Sequence, residues 1–170
     1  MSELEKTTLG GGCFWCVESA FKQIRGVDNV VSGYSGGDTD HPSYEEVCSG
    51  MTNHVEVVQV TYEPGEIGFK DILTVFFSVH DPTQVNRQGP DVGPQYRSII
   101  FHHNHHQKKI SEETIQELES ADHYDKPIAT EVVALEKFYA AEEYHQDYYE
   151  KNPNQAYCRR MIPPKLETLE

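Results

Sequence analysis

The sequence predicts an α+β fold, an α/β two-layer arrangement in which helices pack on β-strands. Three observations lead to it. Segments whose apolar residues alternate at period two are interleaved with segments of helical periodicity. Some neighbouring strands stand close enough in the chain to pair as hairpins. The 170 residues contain no repeat, no low-complexity block and no Gly/Ser/Pro-rich linker that would divide them. A chain of this length suits one domain, 1–170, with apolar residues enough to bury a core.

Residues 6–9 form a short strand that runs into Gly10, Gly11 and Gly12. A helix follows, with Phe14, Val17, Phe21 and Ile24 along one side. Residues 27–34 make a second strand, closed by Gly36 and Gly37, and 43–48 a short helix ahead of Ser49 and Gly50. The alternating, Val-rich stretch 55–62 is a strand ended by Pro64 and Gly65. Over 67–79, Ile67, Ile72, Leu73, Val75, Phe76 and Val79 recur at helical spacing. Residues 80–95 read as a long loop with three prolines and two glycines. Loops longer than about 12 residues in a compact domain tend to serve a function. A strand over 97–102 leads to a charged helix over 104–120 with Asn104 as its cap. A strand over 130–135 and a last helix over 142–149 precede an irregular, mobile tail, 152–170.

Charge and composition exclude several classes of function. Fourteen Lys and Arg stand against 28 Asp and Glu, for a net charge of −14. Binding nucleic acid requires clustered cations, and an anionic lipid surface would repel such a chain. No stretch approaches the roughly 18 apolar residues of a spanning helix. Residues 1–8 lack the basic and then apolar make-up of a signal peptide, so a cytoplasmic location is expected. In a reducing cytosol, the four cysteines are expected to be catalytic or metal-binding rather than structural staples.

The densest chemistry lies at Gly10-Gly11-Gly12-Cys13-Phe14-Trp15-Cys16-Val17-Glu18. Glycines let the backbone turn out of the strand in ways closed to other residues. Cys13 then falls at the first turn of a helix, where free N–H groups and the positive dipole end favour an anion. A thiol there is expected to have a lowered pKa and to act as a nucleophile. The alternative is a buried cysteine that only packs the joint. Cys16 lies one turn on and faces the same side, so the pair also spells a C-x-x-C, a redox signal or half of a zinc site. Phe14 and Trp15 are either core residues or the wall of an apolar pocket for a small substrate group.

The segment from Gly12 to Glu18 resembles the signature of peptide methionine sulfoxide reductase, A type. Further matches follow in that family's order: Gly33-Tyr34-Ser35-Gly36-Gly37, Asn53-His54-Val55-Glu56, Asp81-Pro82-Thr83 and Asn86-Arg87-Gln88-Gly89. After them come Asp91-Val92-Gly93-Pro94-Gln95-Tyr96-Arg97-Ser98, Ala141-Glu142-Glu143-Tyr144-His145-Gln146 and Tyr157-Cys158. The resemblance covers nearly the whole chain. It departs at Cys16 and Asn53, where the family more often has Gly, and at Val55, where it has Ala.

The resemblance implies a central mixed sheet of the ferredoxin-like plait type and the reduction of methionine S-sulfoxide, free or in proteins. It makes Cys13 the nucleophile and Glu56 the acid that protonates the departing oxygen. Glu56 sits among Val55, Val57, Val58 and Val60, where burial would raise its pKa, although periodicity alone also allows it to face solvent. By the same resemblance Tyr34 and Tyr96 donate hydrogen bonds to the sulfoxide oxygen, and Asp91 orients a substrate amide or a water. Phe14 and Trp15 line the methyl pocket, and His145 supports the site. The sulfenic acid left on Cys13 condenses with a second thiol. The tail position favours Cys158 as resolving thiol, with Cys16 as competitor or partner in an exchange relay. Cys48 reads as structural. No bound cofactor is implied. Thioredoxin, or dithiothreitol in vitro, supplies electrons, and the enzyme is expected to act as a monomer.

Two other readings remain at this level. A thioredoxin-like dithiol oxidoreductase would need only Cys13 and Cys16. A zinc module would add histidines to them, but His102, His103, His105 and His106 straddle a strand end and a helix start and need not converge.

Overall fold

The computed structural model describes residues 4–121, 124–156, 158–160 and 162. Its centre is a plait of β1 (Glu5–Gly10), α1 (Phe14–Lys22), β2 (Val27–Ser35), β3 (Val55–Tyr62), α3 (Phe69–Ser78) and β6 (Ile99–His102). α2 (Tyr44–Cys48) lies between β2 and β3. The chain continues through α4 (His105–Ser120), β7 (Glu131–Ala134), β8 (Phe138–Ala140) and α5 (Tyr148–Lys151). The six strands are ordered β7-β6-β1-β3-β2-β8. Within it, β6-β1-β3-β2 is the split βαβ arrangement of a ferredoxin-like plait. All neighbours are antiparallel except β6 and β7, which makes the sheet mixed.

β7 and β8 are consecutive in the chain yet form opposite edges of the sheet. In a flat sheet five strand spacings would hold them about 24 Å apart. The three residues 135–137 that join them reach only about 14 Å. The sheet is therefore curled, and both of its faces are covered. On the helix face lie Leu9, Val17, Phe21, Val58, Val60, Ile72, Leu73, Phe76 and Ile100. On the other, Val55, Val57, Ile99 and Phe101 pack with Leu135 and Phe138.

Most elements form where patterning places them. Ser43 caps α2 through a reciprocal pair with Glu46, and Asn104 Oδ1 accepts the Gln107 N–H at the start of α4. Three expectations are corrected. The loop 80–95 contains a two-strand ribbon, β4 (Arg87–Gln88) and β5 (Asp91–Val92), and then a 3-10 turn, Pro94–Tyr96. No helix spans 142–149. A 3-10 turn, Glu143–His145, gives way to the short α5, because Asp147 adopts φ 57° and breaks the helical path. The segment expected as an irregular, mobile tail is in part ordered: residues 158–160 are helical, and Cys158 and Ile162 are buried in the core. Residues 163–170 of that segment lie outside the described residues. Among the described residues no helix is long and apolar enough to cross a membrane.

Candidate active site

β1 delivers the chain through its glycines to Cys13, the N-cap of α1. Gly12 has φ +94°, and a Cβ there would lie 2.7 Å from Gln88 Cγ of the ribbon. Glycine therefore lets the 80–95 segment close over the start of the helix. Cys13 accepts the N–H groups of Cys16 and Val17 at its carbonyl, and its side chain is buried.

The expected lowering of the Cys13 pKa is not what the resting site produces. Burial pushes the thiol well above its usual range, a hydrogen bond with the Cys16 thiol adds to this, and the Glu56 charge acts in the same direction. A backbone hydrogen bond from Trp15 opposes them without prevailing. Desolvation outweighs the helix terminus here. The first free N–H of the helix, on Phe14, donates to Glu56 Oε1 at 3.2 Å.

Glu56 shares the parity of Val58 and Val60 and so faces the helices. It is 1% exposed. Burial pushes its carboxyl up to about 8, the Phe14 hydrogen bond working against this and the Asp91 charge adding to it. Oε2 has no hydrogen-bond partner among the described residues. Glu56 is thus a protonated acid at neutral pH, with one oxygen turned into the site.

Tyr34 stands directly across from Glu56 on β2. Tyr96 ends the turn that follows the ribbon, and Asp91 lies on β5. Burial raises both phenols far above their usual range, so both stay protonated, with the Glu142 contacts adding to the effect at Tyr34 and the Glu56 charge at Tyr96. The Tyr34 hydroxyl donates to Glu142 Oε1 at 2.8 Å. Phe14 is fully buried beside the Tyr34 ring, and Trp15 is half-buried with its Nε1–H on His145 Nδ1 at 3.0 Å. The sequence-derived residues from Cys13 to His145 therefore converge around one site.

Two residues were not anticipated by the sequence reading. Tyr44 opens α2, stacks on Phe14 and feels the Glu56 charge. Its N–H donates to Glu142 Oε2 at 2.9 Å. Burial disfavours the Glu142 anion, but hydrogen bonds from backbone N–H groups and from Tyr34 hold it below the usual carboxylate range. Only the position after the Ser43 cap marked Tyr44. Glu142 lies in the matched run 141–146, but the resemblance gives a role in that run to His145 alone. Cys48, read as structural, closes α2 at the rim: burial raises its thiol, while hydrogen bonds to Tyr44 and Tyr96 counter it.

Of the other thiols, Cys16 adjoins Cys13. Cys158 is pushed up to about 11 by burial and by the neighbouring Cys16. The histidines at 102–106 lie at the end of β6 and the start of α4, and His103 Nε2 pairs with Thr8 Oγ1 at 2.8 Å.

The family model described as peptide methionine sulfoxide reductase matches residues 5–170. A relative from Natronomonas pharaonis named peptide methionine sulfoxide reductase MsrA is 58% identical over 162 residues, 95% of this chain and 91% of its own. The reduced form of Mxr1 from Saccharomyces cerevisiae superposes with a TM-score of 0.85 at 37% identity, covering 90% of this chain and 88% of that one. Mxr1 in complex with Trx2 matches with a TM-score of 0.62 at 26% identity, over 86% and 85% of the two chains. A buried thiol beside a protonated carboxyl, on this fold and with these relatives, leads to one conclusion: the chain belongs to the peptide methionine sulfoxide reductase family, with relatives of the MsrA type, and is an oxidoreductase.

Proposed function

We propose that this protein reduces the S epimer of methionine sulfoxide, free or within proteins, with Cys13 as nucleophile and Glu56 as general acid. The observation that carries the reading is the Glu56 carboxyl, buried and neutral, holding Oε1 on the Phe14 N–H while Oε2 stays unpaired. In the reaction, Cys13 sulfur attacks the sulfoxide sulfur as Glu56 gives its proton to the oxygen. The hydroxyl then passes from the substrate sulfur to Cys13 sulfur as the S–O bond and the newly formed S–S bond both break, which releases methionine and leaves sulfenic acid on Cys13. The proton released by the Cys13 thiol returns to Glu56, so the pair loses none over the cycle. This explains how a thiol with a raised pKa can serve: a neutral acid and a neutral thiol exchange one proton between two buried groups. Tyr34 and Tyr96 donate to the oxygen, Asp91 orients the substrate amide, and Phe14 and Trp15 enclose the methyl group.

The sulfenic acid then condenses with a thiol and releases water. Cys16 already hydrogen-bonds Cys13, and the thiol neighbouring Cys158 is Cys16. This supports a relay in which Cys16 forms the first disulfide and Cys158 takes it over, the reverse of the order favoured by the tail position alone. Thioredoxin reduces the final disulfide by dithiol exchange, in keeping with a solved complex of the yeast relative with Trx2. The decisive experiment is dithiothreitol-driven turnover on separated S and R sulfoxides. Wild type is expected to consume the S epimer alone, and Cys13→Ser neither; retained activity in Cys13→Ser would sink the reading.

A further inference from the structure

Three carboxylates come together away from the sulfoxide chemistry. Glu18 lies on α1, Asp147 at the left-handed break before α5, and Glu150 within α5. One oxygen of each lies within 4.8 Å of the others. Acidic neighbours are common on a chain of net charge −14 and make no site by themselves. Two buried atoms set this place apart. Glu18 is fully buried, and while its Oε2 accepts the Asp147 N–H at 3.1 Å, Oε1 has no hydrogen-bond partner among the described residues. Ser32 of β2, fully buried as well, stands close enough to favour the Glu18 charge, as does the Tyr148 N–H. Its Oγ likewise has no hydrogen-bond partner among the described residues. Buried carboxylates are stable when they are paired or hold a metal ion.

The local charges do not balance. Lys22 pairs with Asp147 and attracts the Glu18 charge, which Glu150 repels. The next ammonium along α5, on Lys151, turns to the Glu143 carbonyl instead. Three carboxylates against one ammonium leave two negative charges, the complement of a divalent cation. The donors are all oxygens, which suit a hard ion rather than zinc. Two oxygens across a calcium ion, at about 2.3–2.6 Å each, stand about 4.6–5.2 Å apart, against about 4.0–4.2 Å across magnesium. A spread of up to 4.8 Å falls inside the calcium span. Calcium also tolerates the irregular geometry of ligands drawn from two helices and a turn. We propose that Glu18, Asp147 and Glu150 form a calcium site that ties α5 and the turn before it to α1, with Ser32 Oγ at its buried side. The site is independent of the catalytic reading of the thiols.

The test is calorimetric titration of the full chain, freed of metal by a chelator and then dialysed, with calcium chloride. A salt concentration of about 0.15 M screens diffuse binding to the acidic surface. At about pH 8 the Glu18 carboxyl, lifted by burial to about 7, is ionised. Wild type is expected to bind a single equivalent with a Kd of about 10⁻⁵–10⁻⁴ M, and magnesium at least about tenfold more weakly. Glu18→Gln and Glu150→Gln each remove one ligand charge and should weaken calcium by at least about tenfold. Lys22→Gln removes the competing ammonium and should tighten it, an effect that a purely structural role for the ion pair would not produce. Glu113→Gln, on the exposed face of α4, should change nothing. Calcium should also raise the Tm of wild type and leave that of Glu150→Gln in place, because a ligand of the native state alone stabilises it. Failure to bind calcium at about 10 mM, equal binding by wild type and Glu150→Gln, or a preference for magnesium would overturn the proposal. Should Glu18→Gln fail to fold, the variants at the exposed Glu150 and Lys22 decide it.

Discussion

At the scale of single residues, Glu56 concentrates the chemistry. Its carboxyl, pushed up to about 8 chiefly by burial, is the form that can give a proton. The Cys13 thiol lies in the same site and is raised well above its usual range. Increasing pH therefore strips Glu56 first. The rate of the chemical step should be level below about pH 8 and fall above it, the sign expected when the protonated form acts. Single-turnover formation of methionine across pH measures this directly. Glu56→Gln keeps the shape and an acceptor for the Phe14 N–H but has no proton to transfer. It should lower the rate by about 10²–10⁴ and abolish the descent near pH 8. A descent that persists in this variant would assign it to another group.

At the scale of elements, α1 aligns the thiols. Cys13 caps the helix, Cys16 follows one turn later, and the helical residues 158–160 bring Cys158 against Cys16. Mapping the oxidised sulfurs after one turnover without reductant reads the relay. Cys158→Ser should stop at a Cys13–Cys16 disulfide, and Cys16→Ser should leave sulfenic acid on Cys13. A Cys13–Cys158 bond forming at the wild-type rate in Cys16→Ser would restore the opposite order. The glycine turn that starts α1 makes a second prediction. Gly12→Ala meets both a left-handed φ of +94° and Gln88 at 2.7 Å, so it should cost about 1–3 kcal/mol and lower Tm in thermal unfolding. The elements legible in the sequence were those with enough turns or alternations to show a period, such as β3, α3 and α4. β8 has three residues, none fully buried, and escaped notice. A helix over 142–149 read well by composition, but Asp147 in the left-handed region is set by tertiary contact: its N–H donates to the buried Glu18. Cys13 was legible because glycines and a helix start are local signals. The orientation of Glu56 was not, because Val55 and Val57 are buried by the second cluster, so both faces are covered around Glu56 and the polar contrast of Gln59 and Thr61 comes only further along the strand. Trp15 and His145 meet across 130 residues, a contact no spacing can reveal.

At the scale of the whole molecule, a chain with net charge −14 buries, among the described residues, two carboxyls whose pKa burial raises well above the ordinary glutamate value. Glu56 belongs to the proposed reaction. Glu18 does not: it lies on α1, accepts the Asp147 N–H at 3.1 Å, and is near the Lys22–Asp147 ion pair. Burial lifts its carboxyl to about 7, against the opposing pull of Lys22. The consequence for stability follows from proton linkage. Above the ordinary glutamate pKa the unfolded chain releases this proton, while the native state keeps it until about pH 7. Native stability therefore falls as pH rises from the ordinary value of 4.5 to about 7, then stays level with respect to this group. At about 1.4 kcal/mol per pKa unit, the loss is of order 3 kcal/mol. Glu18→Gln removes the titration and retains an oxygen for the Asp147 N–H. Urea unfolding should find it close to wild type at pH 4 and more stable, by up to about 3 kcal/mol, at pH 8.5. Equal stability gains at both pH values would mean that packing, not the proton, sets the difference.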